Sequence, residues 1–437
     1  MRQISLFKQL MGVVFLGLIV VLGGQLVGCS AASSDAGKDE AANEKPDTKP
    51  VNAAAKAPLP KQIQKARDFT ALYALQKEYE AGGKKDRAVQ RALAERWAAI
   101  TQNMKPSPLV DGLDFLAVDT RVTAPNEYTF SFLLRPVAAL TTDYHLKVFG
   151  LVFPQNMDRL PGGGDNARHP TWTQDVTNPP TSAWRTGTYQ VVQMKVNTAL
   201  VPYNLVLSLR AQTGAGEMYT EAGNRLLLGW QWAYANEDAF IAKVEACESF
   251  ADLYALAPPG PKVSGAVAKA IEKQWKKFAA GMKPRPMVKG LHILGVDTEA
   301  TGENEYTFSF LFKATQDITQ DYHLSIRAEV DESHIRHIEP AAPGAAHVKW
   351  SVLLYRDPTS LWRAGEYHVV QRTVKTPLIP YNLLVILQNR DEEGKVVGNP
   401  GNQVRLGWQA DLPEERPQPE NKQPEAGQPE AAATPDA

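Results

Sequence analysis

Cysteine is almost absent from this chain: Cys29 and Cys247 are its only two, too few for a disulfide framework. Net charge is nearly absent as well. The 47 lysines and arginines face 48 aspartates and glutamates, leaving −1, without the basic excess that marks nucleic-acid binders. Signatures of common catalysis are also missing: no Gly-rich phosphate loop follows a strand, and HExxH, GxSxG and CxxC do not occur. What remains is ordinary globular material. The 437 residues, 43% hydrophobic and 22% charged, suffice for two to three domains.

The N-terminus reads as a targeting segment rather than fold. Arg2 and Lys8 precede an apolar stretch from Met11 to Leu22, and small residues then run into a cysteine. Gly23, Gly24 and Gln25 interrupt the run, which is short for a bilayer span. Leu26-Val27-Gly28-Cys29 resembles a bacterial lipobox. The resemblance implies a lipoprotein signal peptide over 1–28, cleaved before Cys29, and acylation of Cys29 with diacylglycerol and a further fatty acid such as palmitate. Several buried chains, at about 0.8 kcal/mol per methylene, anchor a protein stably. The partner implied is the lipid bilayer, and Ser30 after the cysteine resembles lipoproteins sorted to the outer membrane of the cell envelope. Residues 29–60 carry no aromatic side chain and read as a disordered tether with a reach of about 30 Å. Residues 412–437, rich in Pro, Glu, Gln and Ala, read as a disordered tail.

Between these ends the sequence repeats itself. Asn126-Glu-Tyr-Thr-Phe-Ser-Phe132 recurs unchanged at 304–310, Asp143-Tyr144-His145-Leu146 at 321–324 and Leu228-Gly229-Trp230-Gln231 at 406–409, each displaced by 178, as 304 is from 126. Upstream, Phe69, Leu72 and Tyr73 match Phe250, Leu253 and Tyr254 at 181. The offset of 178, without drift over more than a hundred residues, implies a copied unit, the second copy being three residues shorter in one early loop. Each unit opens with a helical pattern: Ile63, Ala66, Phe69 and Tyr73 share one face, then Val89, Leu93, Trp97, Ile100 and Met104, matched by Val267, Ile271, Trp275, Phe278 and Met282. Cys247 stands where the first copy has Ala66 and reads as a buried thiol.

The period then changes to two. Tyr128, Phe130 and Phe132 alternate with Thr129 and Ser131, as a strand with one buried face does, and about seven such strands are expected per unit. Leu200-Val-Pro-Tyr-Asn-Leu205 and Leu378-Ile-Pro-Tyr-Asn-Leu383 resemble the tyrosine corner of immunoglobulin-like sandwiches. With the Asp-Tyr-His and Pro-Thr-Ser-x-Trp-Arg-x-Gly-x-Tyr runs (180–189, 358–367), each β part resembles the sandwich segments that follow the membrane-embedded part of some bacterial glycosyltransferases. That resemblance implies an accessory, glycan-facing role. The expected fold is therefore α+β dominated by β, a tandem repeat of a helical hairpin followed by an immunoglobulin-like β-sandwich. Repeat 1 covers 61–235 (hairpin 61–106, sandwich 109–235) and repeat 2 covers 236–411 (hairpin 237–284, sandwich 287–411). A fragment from Asn236 is expected to hold a complete core, in fixed relation to the first half because no Gly or Pro linker joins them.

Two constellations offer ligand contacts. Asp143, His145 and His169, matched by Asp321, His323 and His347, present carboxylate and imidazole for a metal or a sugar hydroxyl; alternatively the histidines face solvent, opposite Tyr144 and Tyr322. Trp184-Arg185 and Trp362-Arg363 offer a stacking surface with a cation, or else a tryptophan closing the sandwich edge. Neither copy shows an acidic motif that the other lacks. The expected function is a membrane-anchored, non-enzymatic envelope lipoprotein that binds or assembles an envelope protein or glycan, with no cofactor, metal or nucleic acid. The alternative is a carbohydrate-binding or carbohydrate-processing protein with its site on the sandwiches or between the repeats.

Overall fold

The computed structural model describes residues 58–83, 85–213, 218–338, 347–352, 354, 357–390 and 395–411. The signal segment, Cys29, most of the tether and the 412–437 tail lie outside the described residues. Strand outweighs helix, and the strands form several antiparallel sheets, as a β-dominated α+β chain requires.

Three helices come first: α1 (Leu59–Lys65), α2 (Phe69–Ala81) and α3 (Arg87–Thr101). The sequence pattern reads α1 and α2 as one helix, but the chain breaks between them. Asp68 adopts extended backbone and accepts the Ala71 amide at 2.8 Å, a local bond that competes with helix continuation and starts α2 afresh. The same happens later in α4 (Glu237–Glu245), α5 (Phe250–Leu256) and α6 (Gly265–Ala279), where Ser249 and Asp252 form a capping box at the head of α5. Each expected hairpin is thus a three-helix layer. Cys247 is only half-buried, its Sγ–H donating to the Lys243 carbonyl, and burial pushes its thiol up to about 11.

After α3 come β1 (Ser107–Val110), β2 (Leu113–Ala124), β3 (Glu127–Pro136), β4 (Tyr144–Leu151), β5 (Thr171–Gln174), β6 (Gln190–Asn197), β7 (Tyr203–Thr213) and β8 (Met218–Gln231). They pair as β1-β2-β3-β6 and β5-β4-β7-β8. The strand missed by the period-two reading is β1, a four-residue edge strand carrying Pro108, where a proline's missing N–H does no harm. After α6 come β9 (Arg285–Val288), β10 (Leu291–Gly302), β11 (Glu305–Ala314), β12 (His323–Val330), β13 (His347–Val352), β14 (Tyr367–Lys375), β15 (Tyr381–Arg390), β16 (Val396–Gly398) and β17 (Val404–Gln409). They pair as β9-β10-β11-β14 and β13-β12-β15, with β16 and β17 both on β15.

The repeated heptapeptide occupies β3 and β11, with Val118 opposite Phe132 and Val296 opposite Phe310. Its aromatic face fills the core between the two sheets of each pair: Tyr128, Phe130 and Phe132 join Leu146, Val148, Leu205 and Leu207. Its other face is covered too, contrary to the alternation read from sequence. Thr129 and Ser131 are buried because the helices lie on that side, Leu116, Leu133 and Val191 packing against Val89, Leu93 and Trp97. The chain is layered helix, sheet, sheet.

The second helical layer has an additional neighbour. Phe240, Val244, Leu253, Tyr254 and Trp275 share one core both with Leu294, Leu311 and Val369 of the second sheet pair and with Phe153, Trp230 and Trp232 of the first. Trp232 stacks on Phe240 (5.2 Å between ring centroids) and donates to the Pro258 carbonyl at 2.9 Å. Helices α4–α6 therefore join the two halves through an aromatic seam.

Candidate functional site

The residues singled out by sequence are mostly committed to the fold. Asp143 and Asp321 accept the amides of Ser182 (2.9 Å) and Ser360 (2.8 Å), clasping the turns Thr181–Ala183 and Thr359–Leu361; the Ser182 side chain first, and then its amide, hold the Asp143 carboxyl below its usual range. His145 Nδ1 meets Asp175 Oδ1 at 2.7 Å, whereas His169 Nδ1 accepts the Val152 amide at 3.2 Å. The three candidate ligands thus serve separate partners. In the second half, His347 stands opposite Glu329 in the strand register, six residues and about 20 Å along β12 from His323. Among the described residues no group of three or more His, Cys, Asp or Glu side chains could hold a metal ion.

The tryptophans are not stacking platforms. Trp184 is 5% exposed and donates from Nε1 to the Pro179 carbonyl (3.2 Å), while Trp362 is 1% exposed, with ring centroids 5.8 Å from Phe312 and 4.1 Å from His368. Both belong to the cores between the paired sheets. Arg185 and Arg363 are exposed beside them, and the Arg363 guanidinium donates to the Ser360 carbonyl at 2.9 Å.

Beneath Trp362 lies a group that sequence reading missed. The Tyr254 hydroxyl on α5 donates to Asp357 Oδ2 and lies 3.0 Å from His368 Nδ1. His368 Nδ1 is 3.1 Å from Asp357 Oδ2, and Nε2 is 3.2 Å from Glu366 Oε2. Burial and the neighbouring Asp357 carboxylate both push the Tyr254 phenol well above its ordinary range. Asp357 and Glu366 stand where the first half has Pro179 and Thr188, so the second half does carry acidic positions that the first lacks. Comparing the copies position by position at the 178 offset was the signal available.

Two clefts open on the seam. The larger, about 450 Å³, lies between the first sheet pair and α4–α5; Asn126, Gln155, Arg159, Asn236, Lys243 and Asp252 give it polar walls, and Trp232, Tyr234 and Phe240 an aromatic one. Asn156 ties its two sides together, donating from Nδ2 to the Ala255 carbonyl at 3.1 Å. The Arg159 guanidinium donates to the Leu200 carbonyl, and the Asp252 carboxylate accepts from Ser249. The smaller cleft, about 250 Å³, is mainly apolar, walled by Trp232, Pro258, Pro259, Trp275 and Tyr367, with Glu366 at its edge. The half-buried Tyr234, the side-chain amides and the Arg159 and Lys243 cations suit hydrogen bonding to a polar ligand, while Trp232 and Phe240 are buried in the wall behind them.

No known protein family matches this chain, and no curated protein sequence matches it. Solved structures similar to parts of it include a β-glucosidase from Kluyveromyces marxianus (9% identity, 65% of this chain and 46% of that one, TM-score 0.15) and a chitinase from Bacillus thuringiensis (9% identity, 69% and 32%, TM-score 0.12). A glucose complex of the Kluyveromyces marxianus enzyme matches at 8% identity, 67% and 47% coverage and TM-score 0.14. The chain spans between a third and a half of those proteins, and at such scores the likeness bears on neither fold nor function.

Proposed function

We propose that this chain is a lipid-anchored, non-enzymatic module of a bacterial cell envelope, held to the outer membrane by acylated Cys29, whose two units bind an acidic envelope glycan at the seam between them. Each unit is a helical layer followed by an immunoglobulin-like sandwich. The offset of 178, held from Val118 to Gln231, supports the duplication. The bonds from Tyr203 to the Ala199 carbonyl and from Tyr381 to the Pro377 carbonyl, each 3.1 Å, support the tyrosine-corner reading.

The observation that carries the binding reading is the 450 Å³ cleft, whose Arg159 and Lys243 offer charge to an anionic polymer. Co-sedimentation with purified peptidoglycan sacculi tests it. Wild-type protein should be retained, and reversing both charges (Arg159→Glu with Lys243→Glu) should lower retention at least tenfold. Equal retention of the double variant, or none of the wild type, contradicts the reading.

The anchor is tested separately. Among the described residues no helix is long and apolar enough to cross a membrane. In this reading attachment is through Cys29, and Cys29→Ala should abolish incorporation of labelled palmitate. Unchanged labelling in that variant would rule the anchor out.

A further inference from the structure

We propose that each chain carries both faces of the seam a second time, one on either half, and that the Trp408 face of one copy docks head to tail on the first helical layer, α1–α3, of a second copy. The internal seam is the template. There the sheet β5-β4-β7-β8 offers Trp230 and the layer α4–α6 offers Tyr254, and each ring is almost fully covered, at 3% and 1% exposure. The counterparts of these rings are open in a single copy. Trp408, 178 residues after Trp230, is 52% exposed, and Tyr73, 181 residues before Tyr254, is only partly buried. Ala74 beside Tyr73 is exposed, whereas Ala255 beside Tyr254 is buried.

Both open faces keep the backbone that makes the seam. Trp408 stands opposite Asn382 in the strand register, as Trp230 stands opposite Asn204. The segment that covers Trp230 starts at Phe153 (φ −62°, ψ 144°), which opens the short helix Pro154–Arg159; Asp331 (φ −64°, ψ 143°) opens Glu332–His337 in the same way. On the helical side, the Tyr73 hydroxyl donates to Gln190 on β6 at 3.1 Å, and the Tyr254 hydroxyl lies 3.0 Å from His368, the matching residue of β14. The two phenols are thus held alike against their own sheets.

Where the open faces differ from the seam, they differ in compensating pairs. In the seam Phe153 lies on Trp230, with ring centroids 3.8 Å apart, and 5.3 Å from Tyr254. Its counterpart is the carboxylate Asp331, while the ring of Tyr73 carries the Lys77 ammonium 5.1 Å from its centroid. Faces placed as in the seam bring Asp331 to Tyr73 and so to Lys77, an attraction of opposite charges in place of an aromatic contact. The hydroxyl and then the amide of Ser333 hold the Asp331 carboxyl below its usual range, and Lys77 also pairs with Glu80 on its own helix at 2.9 Å. Trp232, which reaches the Pro258 carbonyl just past α5, has Ala410 as its counterpart, and α2 runs on to Ala81 whereas α5 ends at Leu256. The smaller side chain makes room for the longer helix.

With a phenyl ring exchanged for a charge and an indole for a methyl, the join between copies is weaker and more polar than the seam, as transient interfaces between separately folded molecules are. Its two faces are different surfaces, so the contact is heterologous and adds copies in line instead of closing a two-fold pair. Stacked units whose terminal faces are left uncapped extend in this manner.

Sedimentation of the full chain in detergent tests the join. The mass of the wild type should rise with concentration, and Trp408→Ala, at an exposed position, should remove that rise while leaving the melting temperature unchanged. Lys77→Asp and Asp331→Lys should each weaken association at least tenfold, and an equimolar mixture of the two variants should restore it, because each then meets an opposite charge on the other copy. A wild type that stays monomeric at every concentration overturns the proposal and leaves Trp408 to another occupant, such as the chain's own 412–437 segment. Association that survives Trp408→Ala, or a mixture that associates no more tightly than the single variants, overturns it as well.

Discussion

Trp362→Ala should lower the stability of the chain by about 3–5 kcal/mol, the usual cost of emptying a buried aromatic site. At about 2–4 °C per kcal/mol for a domain of this size, the melting temperature falls by roughly 6–20 °C. The reason is location. At 1% exposure, Trp362 fills the end of the second core between Phe312 and the ring of His368, and no rigid sheet can close on the void its removal leaves. Trp184→Ala should cost a similar amount, because its indole also loses the bond to the Pro179 carbonyl. Arg185→Ala and Arg363→Ala, at exposed neighbours, should each stay within about 0.5 kcal/mol of wild type. Thermal melts of the four variants separate the core reading from the platform reading. Tryptophan variants that melt within a degree or two of wild type would show that these rings are not structural.

Cutting the chain at Asn236 should weaken the second half severely without abolishing its fold. The core between the second pair of sheets is made wholly from residues between Met287 and Val404 and survives the cut. The helical layer does not survive intact, because Phe153, Trp230 and Trp232 cover Phe240, Val244 and Tyr254 from the other side of the cut. Burying one such side chain is worth about 1.5–3 kcal/mol, so the loss of three is on the order of 5 kcal/mol. That compares with a typical total of about 5–15 kcal/mol. Beyond Asn236 the residues of the sheet core are all present, whereas those of the helical core are not.

Much of this architecture was legible because it depends on neighbours along the chain. Period-two runs such as Tyr128-Phe130-Phe132 and the stripe Val89-Leu93-Trp97 report the faces that their own elements bury. What sequence obscured depends on partners far away. Thr129 and Ser131 look like a solvated face, yet helices from earlier in the chain cover them. The tetrapeptide Leu-Gly-Trp-Gln is identical at 228–231 and 406–409, but Trp230 is 3% exposed and Trp408 is 52% exposed, since described helices follow only the first. The Asp143 and Asp321 motifs repeat because a turn must be clasped in each half, so repetition alone did not distinguish contact with a ligand from a fold requirement. The buried cluster around His368 went unread for the opposite reason. Its members differ between the copies, and Tyr254 lies more than a hundred residues from Asp357 and His368.

The account turns on the aromatic seam that makes the two halves one body, since both clefts lie along it. Scanning calorimetry of residues 58–411 beside 58–235 and 236–411 measures that seam most directly. A single cooperative transition is expected for 58–411, with 236–411 melting at least 10 °C lower. Two independent transitions in 58–411, each at the temperature of its isolated half, would contradict it.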